Sequence, residues 1–190
     1  MQTESRVSSA REAQLLERAY EYVLQHGLRS LSLRPLAQAI GSSPRVLLFL
    51  FGSKKGLVQA LLARARAAEL AFLNDMRPAG SDFASVVRRV WQWLLAREHR
   101  AMLVLWLETY AHSLVEPRGP YADFARKTVE DWLELLATHQ PTQQRRSRAA
   151  ATERALALAV LCGALMDLLA TGDKERTTAI VEAHLNRGPD

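Results

Sequence analysis

Cysteine is almost missing from this chain. One residue, Cys162, stands alone among 190, so no internal disulfide can form and no cysteine cluster is available to a metal. His99, His112, His139 and His184 are too scattered to supply metal-ligand spacing, and neither a metal nor a cofactor is expected. Long hydrophobic runs are lacking too. The longest, Ala155 to Ala170, carries Asp167 inside it and falls short of the roughly 20 residues of a spanning helix, so no transmembrane segment is expected. No positively charged start followed by an apolar core marks a secretory leader, and a reducing cytoplasm is the expected location. Catalytic signatures are absent as well. The stretch "FGSKKG" has neither the leading glycine nor the preceding strand of a phosphate-binding loop, and there is no zinc-protease histidine pair. An enzyme is not expected.

What is present is positive charge, unevenly spread. The chain carries a net charge of +5; residues 1–55 hold eight Lys or Arg against four Glu, whereas residues 56–190 hold 17 against 16 acids. A basic first third on a near-neutral remainder suits an anionic partner such as nucleic acid, although a solvated surface has the same composition. The length is ample for a buried core.

Apolar residues recur at helical spacing, with no two-residue alternation of the strand type. Ser9 and Glu12 make a capping-box signal before Leu15, Leu16, Ala19, Tyr20, Val23 and Leu24, and Gly27 closes that helix. Ser32 caps a short second helix ended by Gly41. Ser43 with Pro44 opens a third over Arg45 to Phe51, ended by Gly52. A long fourth helix is predicted over Lys54 to Met76, broken by "RPAG" at 77–80. Further helices carry Phe83 to Leu95, Met102 to Tyr110, Tyr121 to Ala137, Ala149 to Ala170 and Asp173 to Leu185, with "HQPTQQRRS" read as an exposed linker. The Ala149 to Ala170 helix is apolar nearly all round, so one face can serve its own bundle and the other a partner subunit. The fold class is all-α, a three-helix head before a helical-bundle body. Three divisions are expected: a flexible basic arm (1–9), a head (10–53) and a body (54–190).

Two short helices joined by a tight turn at Gly41, after a longer first helix, give the helix-turn-helix plan, whose second short helix enters the DNA major groove. Over Leu15 to about Leu62 the sequence resembles the TetR family of bacterial transcriptional regulators. The stretch "SLRPLAQAIGSSPRVLLFLFGSKKGLVQALL" has that family's hydroxyl residue, Leu-Ala pair, glycine turn, recognition helix ending in Phe, and Ser-Lys before a Leu. The closing "LLATGD" at 168–173 is familiar in general form. The start of the recognition helix, Ser43, Pro44 and Arg45, is expected to project together with whichever of Val46, Leu48 and Phe49 faces outward; Arg45 is positioned for a guanine edge, and Val46 is a candidate contact for a thymine methyl. Arg34, Lys54 and Lys55 are candidate DNA contacts. Most of the apolar run after Arg45 is expected to be core. Phe49 is either packed, the commoner fate of such a residue, or in apolar contact with a base or sugar. One departure stands out: the family usually places a tyrosine and then a histidine on phosphates near the end of this helix, where this chain has Leu48, Phe49 and Leu50. Those contacts cannot form, so the cations, with Arg6 of the arm and Arg11 just after it, compensate or the affinity is modest.

For the body the resemblance implies a homodimer built on the last long helices and a ligand cavity in each subunit. Leu158, Cys162, Leu165, Leu169, Ile180 and His184 are the candidate dimer contacts. Met102, Trp106, Glu108, Tyr110, Trp132, Met166 and Asp167 are the candidate ligand contacts, fitting an apolar or aromatic molecule, cationic if Glu108 or Asp167 faces it. Each has a plainer reading: aromatics at helical spacing are commonly core, Asp167 a hydrogen-bonded helix acid, Cys162 a small core residue. Trp91 fits the buried stripe of its helix, and Trp93 lies off it. The function these features imply is a ligand-responsive repressor that binds a palindromic operator as a dimer. The alternative is a helical dimeric sensor or protein-interaction module with weak or lost DNA binding.

Overall fold

A computed structural model describes residues 2–28, 31–75, 82–116, 118–119 and 121–186, with residues 2–9 described by their backbone only. The described residues contain no strand. They form α1 (Gln2–His26), α2 (Leu33–Ala39), α3 (Pro44–Phe51), α4 (Lys54–Asp75), α5 (Phe83–Leu95), α6 (Arg100–Val115), α7 (Phe124–Thr138), α8 (Arg148–Thr171) and α9 (Lys174–Leu185), with a 3-10 turn at Arg97–His99 before α6.

Most ends follow local chemistry. The Ser43 hydroxyl accepts from the Val46 amide at 3.2 Å, and Pro44 occupies the first turn of α3, where its missing N–H costs nothing. Asp82 accepts from the Ser85 amide at 2.9 Å to start α5, and Ser147 and Asp173 cap α8 and α9 in the same way. Two boundaries differ from expectation. The first helix begins at Gln2, not at Ser9, because no glycine or proline interrupts the chain before Gly27. The supposed linker is partly core: His139 and Gln140 are buried, and Gln140 donates to the Ala150 carbonyl at 3.0 Å while accepting from Arg154 at 2.6 Å. Gln140 can be buried there because its amide is paired at both ends, and His139 lies with Nδ1 3.1 Å from the Leu135 carbonyl oxygen while its Nε2 meets no hydrogen-bond partner among the described residues. Met76 and the predicted "RPAG" break lie outside the described residues.

The chain divides into two compact units. The first comprises residues 1–69 and 104–125, the second residues 70–103 and 126–190, so α4 and α6 each contribute to both. In the first unit Leu15, Ala19 and Val23 of α1, Leu36 of α2, Leu47 of α3, Leu57 and Leu61 of α4 and Leu105 of α6 share one core. Polar ties surround it. Arg64 of α4 pairs with Glu17 of α1 and lies 4.9 Å from the centre of the Tyr20 ring. Arg18 donates to the Ile40 carbonyl at 3.3 Å, fastening α1 to the end of α2.

In the second unit α5 packs on α8 and α9. Trp91 is fully buried, as its place on the apolar stripe of α5 predicts, and its indole N–H donates to the Thr178 hydroxyl at 3.0 Å. Trp93 is not free of contacts despite lying off that stripe: it stacks on Phe72 (3.9 Å between ring centres) and on His99 (4.1 Å). The α8 helix has 24 residues and by length and composition alone could cross a bilayer, being longer than the apolar stretch read from the sequence. A bundle's core helix has the same properties. One side of α8, with Ala157, Leu161, Ala164, Leu165 and Leu168, is buried within this unit.

Candidate nucleic-acid interface

The α2 and α3 helices are joined by a turn in which Gly41 takes φ +66° and the Ser42 amide donates to the Ala37 carbonyl at 2.8 Å. Any side chain at position 41 would meet the left-handed steric penalty that glycine escapes. The turn fixes the direction in which α3 leaves, and the cap at Ser43 fixes where it begins.

Successive residues step about 100° around a helix, which sorts α3 into two faces. Leu47 is 1% exposed, and Pro44, Leu50 and Phe51 flank it half-buried. The opposite arc carries Arg45 and Phe49, one turn apart, with Val46 and Leu48 to either side. Phe49 is 82% exposed, Leu48 41% and Val46 39%. The expectation that most of the run is core, with Phe49 packed, is therefore corrected. Only one face can touch α1 and α4, and a run of six apolar residues must also cover the other.

The cations around α3 share an unusual placement. Arg34 lies in the first turn of α2, Arg45 in that of α3, and Lys54 and Lys55 in that of α4; all four are exposed, and none of these first turns holds an acid. No Asp or Glu occurs anywhere between Glu21 and Glu69. A helix N-terminus carries partial positive charge, so each cation there is disfavoured by roughly 0.3–1 kcal/mol. Three successive helix starts thus concentrate positive potential on the α2–α3–α4 surface, a place for anions.

The other predicted site residues are dispersed. Trp106, Glu108 and Tyr110 belong to the first unit; Met102, Trp132, Met166 and Asp167 belong to the second. Glu108 accepts the Leu28 amide at 3.0 Å, securing the chain just after α1. Asp167 is held by Arg176, whose guanidinium donates to both carboxylate oxygens at 2.5 and 2.8 Å; hydrogen bonds from Arg176 keep this acid below the usual carboxylate range. Both acids are engaged by the chain itself, as the plain reading of Asp167 anticipated. Trp132 is buried with its ring 5.9 Å from that of Phe72, Met102 is half-buried, and Met166 is exposed.

Glu69 joins these aromatic residues without any sequence motif to mark it. It is buried, accepts from Arg66 at 2.6 Å and from the Trp106 indole at 3.3 Å, and Trp106 in turn lies 5.4 Å from the Tyr110 ring. Its position was the available signal, since it follows Ala65 by four residues on the apolar line of α4. Of the candidate dimer contacts, Leu165 is buried inside its own unit, Leu158, Cys162, Leu169 and His184 are half-buried, and Ile180 is exposed. Burial pushes the Cys162 thiol up, away from the reactive thiolate. The exposed apolar side of α8 instead carries Ala155, Leu156, Ala159, Gly163, Met166 and Ala170.

No family model matches the sequence, and no curated protein does. Solved structures do match. A TetR-family regulator from Cytophaga hutchinsonii superposes with a TM-score of 0.77 at 14% identity, over 94% of this chain and 92% of that one. A transcriptional regulator from Rhodococcus sp. Rha1 gives 0.73 at 18% identity, over 92% and 93%. The multidrug binding protein EbrR, crystallised with imidazole, gives 0.65 at 24% identity, over 92% and 89%. Identities this low establish likeness of fold, and the chain accordingly has the fold of the TetR-family transcriptional regulators.

Proposed function

We propose that this protein is a ligand-responsive transcriptional regulator of the TetR type, a cytoplasmic repressor that binds a palindromic operator as a homodimer. Residues 10–53 serve as the DNA-binding region, with 1–9 as its basic arm, and residues 54–190 serve ligand binding and dimerisation. The observation that carries the reading is the set of four exposed cations in the first turns of the successive helices α2, α3 and α4, in a stretch free of acids. Such a surface is costly unless an anion neutralises it, and α3 presents Arg45 at its exposed N-terminal end, where a helix lying in a major groove meets base edges.

The effector is a small apolar or aromatic molecule. Trp106 with Tyr110, and Trp132 with Phe72, are the aromatic pairs available to it. That a protein of similar fold is described as multidrug binding is consistent with such a ligand. Because Glu108 and Asp167 already hold the Leu28 amide and Arg176, the reading rests on the aromatic residues rather than on these acids. An effector that prefers the dimer unable to fit its operator must itself be bound more weakly by the operator complex, by the same factor.

Selection of fragments bound from sheared genomic DNA, followed by a search for a shared palindrome, tests the proposal. An enriched palindrome is the expected outcome. Recovery without any enriched site would favour the alternative, a helical dimeric sensor or interaction module, for which Leu48, Phe49 and Leu50 in place of polar phosphate contacts are the supporting observation.

A further inference from the structure

The outward face of α3 is mostly hydrocarbon, and its centre is a phenylalanine. Phe49 is 82% exposed, with Val46 and Leu48 to either side and Arg45 one turn before it. Nothing in the packing of the first unit requires this. Leu47 alone is fully buried from this helix, and the core of that unit closes without Phe49. An exposed aromatic ring flanked by two further apolar side chains is a patch that a chain carries for a contact.

We infer that Phe49, flanked by Val46 and Leu48, is a specificity-determining residue that recognises thymine through its C5-methyl group in the major groove. This rests on the DNA-binding reading above and adds to it. The surrounding charge selects the occupant. Arg45 shares the outward face of α3 with the patch, Arg34, Lys54 and Lys55 stand exposed in the first turns of the two flanking helices, and no acid lies between Glu21 and Glu69, so the charge favours a polyanion as the partner. The only apolar group a duplex exposes in its major groove is the thymine methyl. Phe49 has no hydrogen-bonding atom, and neither do Leu48 and Leu50. None of the three can hold a phosphate or read a polar base edge. The Arg45–Phe49 pair, four residues apart, then reads two neighbouring features with opposite chemistry: a guanidinium for the acceptors of a guanine, and a ring for the methyl of a thymine.

The test uses the full-length protein and the tightest duplex from a random-sequence selection. Each thymine in one half-site is replaced in turn by deoxyuridine, which removes the methyl and leaves every hydrogen-bonding group intact. For wild type, at least one replacement should weaken binding about fourfold, the worth of one methyl kept from water. Phe49→Ala should bind more weakly overall and lose that sensitivity, Phe49→Leu should keep part of it, and Arg45→Ala should keep it fully. Phe49 is exposed, so its variants should melt with the wild type, a check made on the same preparations. If the duplex is bound but no deoxyuridine position matters, or Phe49→Ala retains the wild-type sensitivity, the inference is overturned while the DNA-binding reading survives. If no duplex is enriched at all, both fall.

Discussion

At the scale of single residues, two positions are set by what stands next to them. Gly56 is the third residue of α4, in its first turn, and a Cβ built there would lie 2.1 Å from the Phe51 carbonyl oxygen. The obstruction is backbone, so it cannot swing aside. Gly56→Ala should therefore destabilise the first unit by about 1–3 kcal/mol or more, seen as a lower urea midpoint, although alanine is ordinarily the better helix residue. An unchanged midpoint would mean that the α3–α4 junction moves freely. Asp167 is the second case. Hydrogen bonds from Arg176 first, and then the charge of Arg176, lower its pKa. Its contribution is fully present above the ordinary carboxylate pKa of about 3.9 and is lost as pH falls through the lower folded-state value. The difference in melting temperature between wild type and Asp167→Asn should then be constant from pH 7 to 5 and narrow below about pH 4. A gap that instead closes between pH 7 and 6 would assign the effect to another group. The partners of the two acids Glu108 and Asp167 were not legible in the sequence. The Glu108 contact with Leu28 spans 80 residues and the Asp167 contact with Arg176 spans nine, so no local periodicity announces them.

At the scale of elements, boundaries were more legible than faces. Ser43, Gly41 and Gly52 mark the ends of α2 and α3 because caps and breakers act within three or four residues, whereas Ser32 holds the N-cap position of α2 without the side-chain bond expected of it. The faces of α3 were hidden because six consecutive apolar residues carry no period, and only the neighbours of Leu47 decide which side is inside. The division has a simple consequence. Leu47→Ala should cost about 2–5 kcal/mol, as truncation of a buried leucine does, whereas Leu48→Ala should stay within about 0.5 kcal/mol in stability. The two leucines are adjacent and chemically identical. Equal losses in denaturant melts of the two variants would reverse the assignment of the faces, and with it the exposure of Phe49 on which the thymine contact depends.

At the scale of the whole molecule, α8 is the element that a single chain leaves unfinished. Ala157, Leu161, Ala164, Leu165 and Leu168 are buried inside the second unit, while the stripe of Ala155, Leu156, Ala159, Gly163, Met166 and Ala170 meets solvent. The all-round apolar character of this helix is plain in the sequence, but the allocation of its two sides is not, since Leu165, a candidate partner contact by sequence, is buried inside its own unit. Gly163 sharpens the case for a partner. It sits inside the helix, where glycine is roughly 0.5–1 kcal/mol worse than alanine, and a Cβ there would meet nothing within 4 Å in its own chain. Nothing among the described residues of its own chain occupies the space beside this glycine, as a second helix packed closely on the stripe in the proposed homodimer would require. In the proposed homodimer, Met166→Glu should shift the protein to monomer in sedimentation velocity with its helical circular dichroism intact, whereas Leu165→Glu should unfold the second unit. Gly163→Ala should raise the melting temperature if the chain is alone, and loosen the dimer if a partner occupies the space. A wild-type protein that sediments as a folded monomer at micromolar concentration, together with a stabilised Gly163→Ala variant, would remove α8 from the proposed interface and leave the proposed palindromic operator without a dimer to span its two halves.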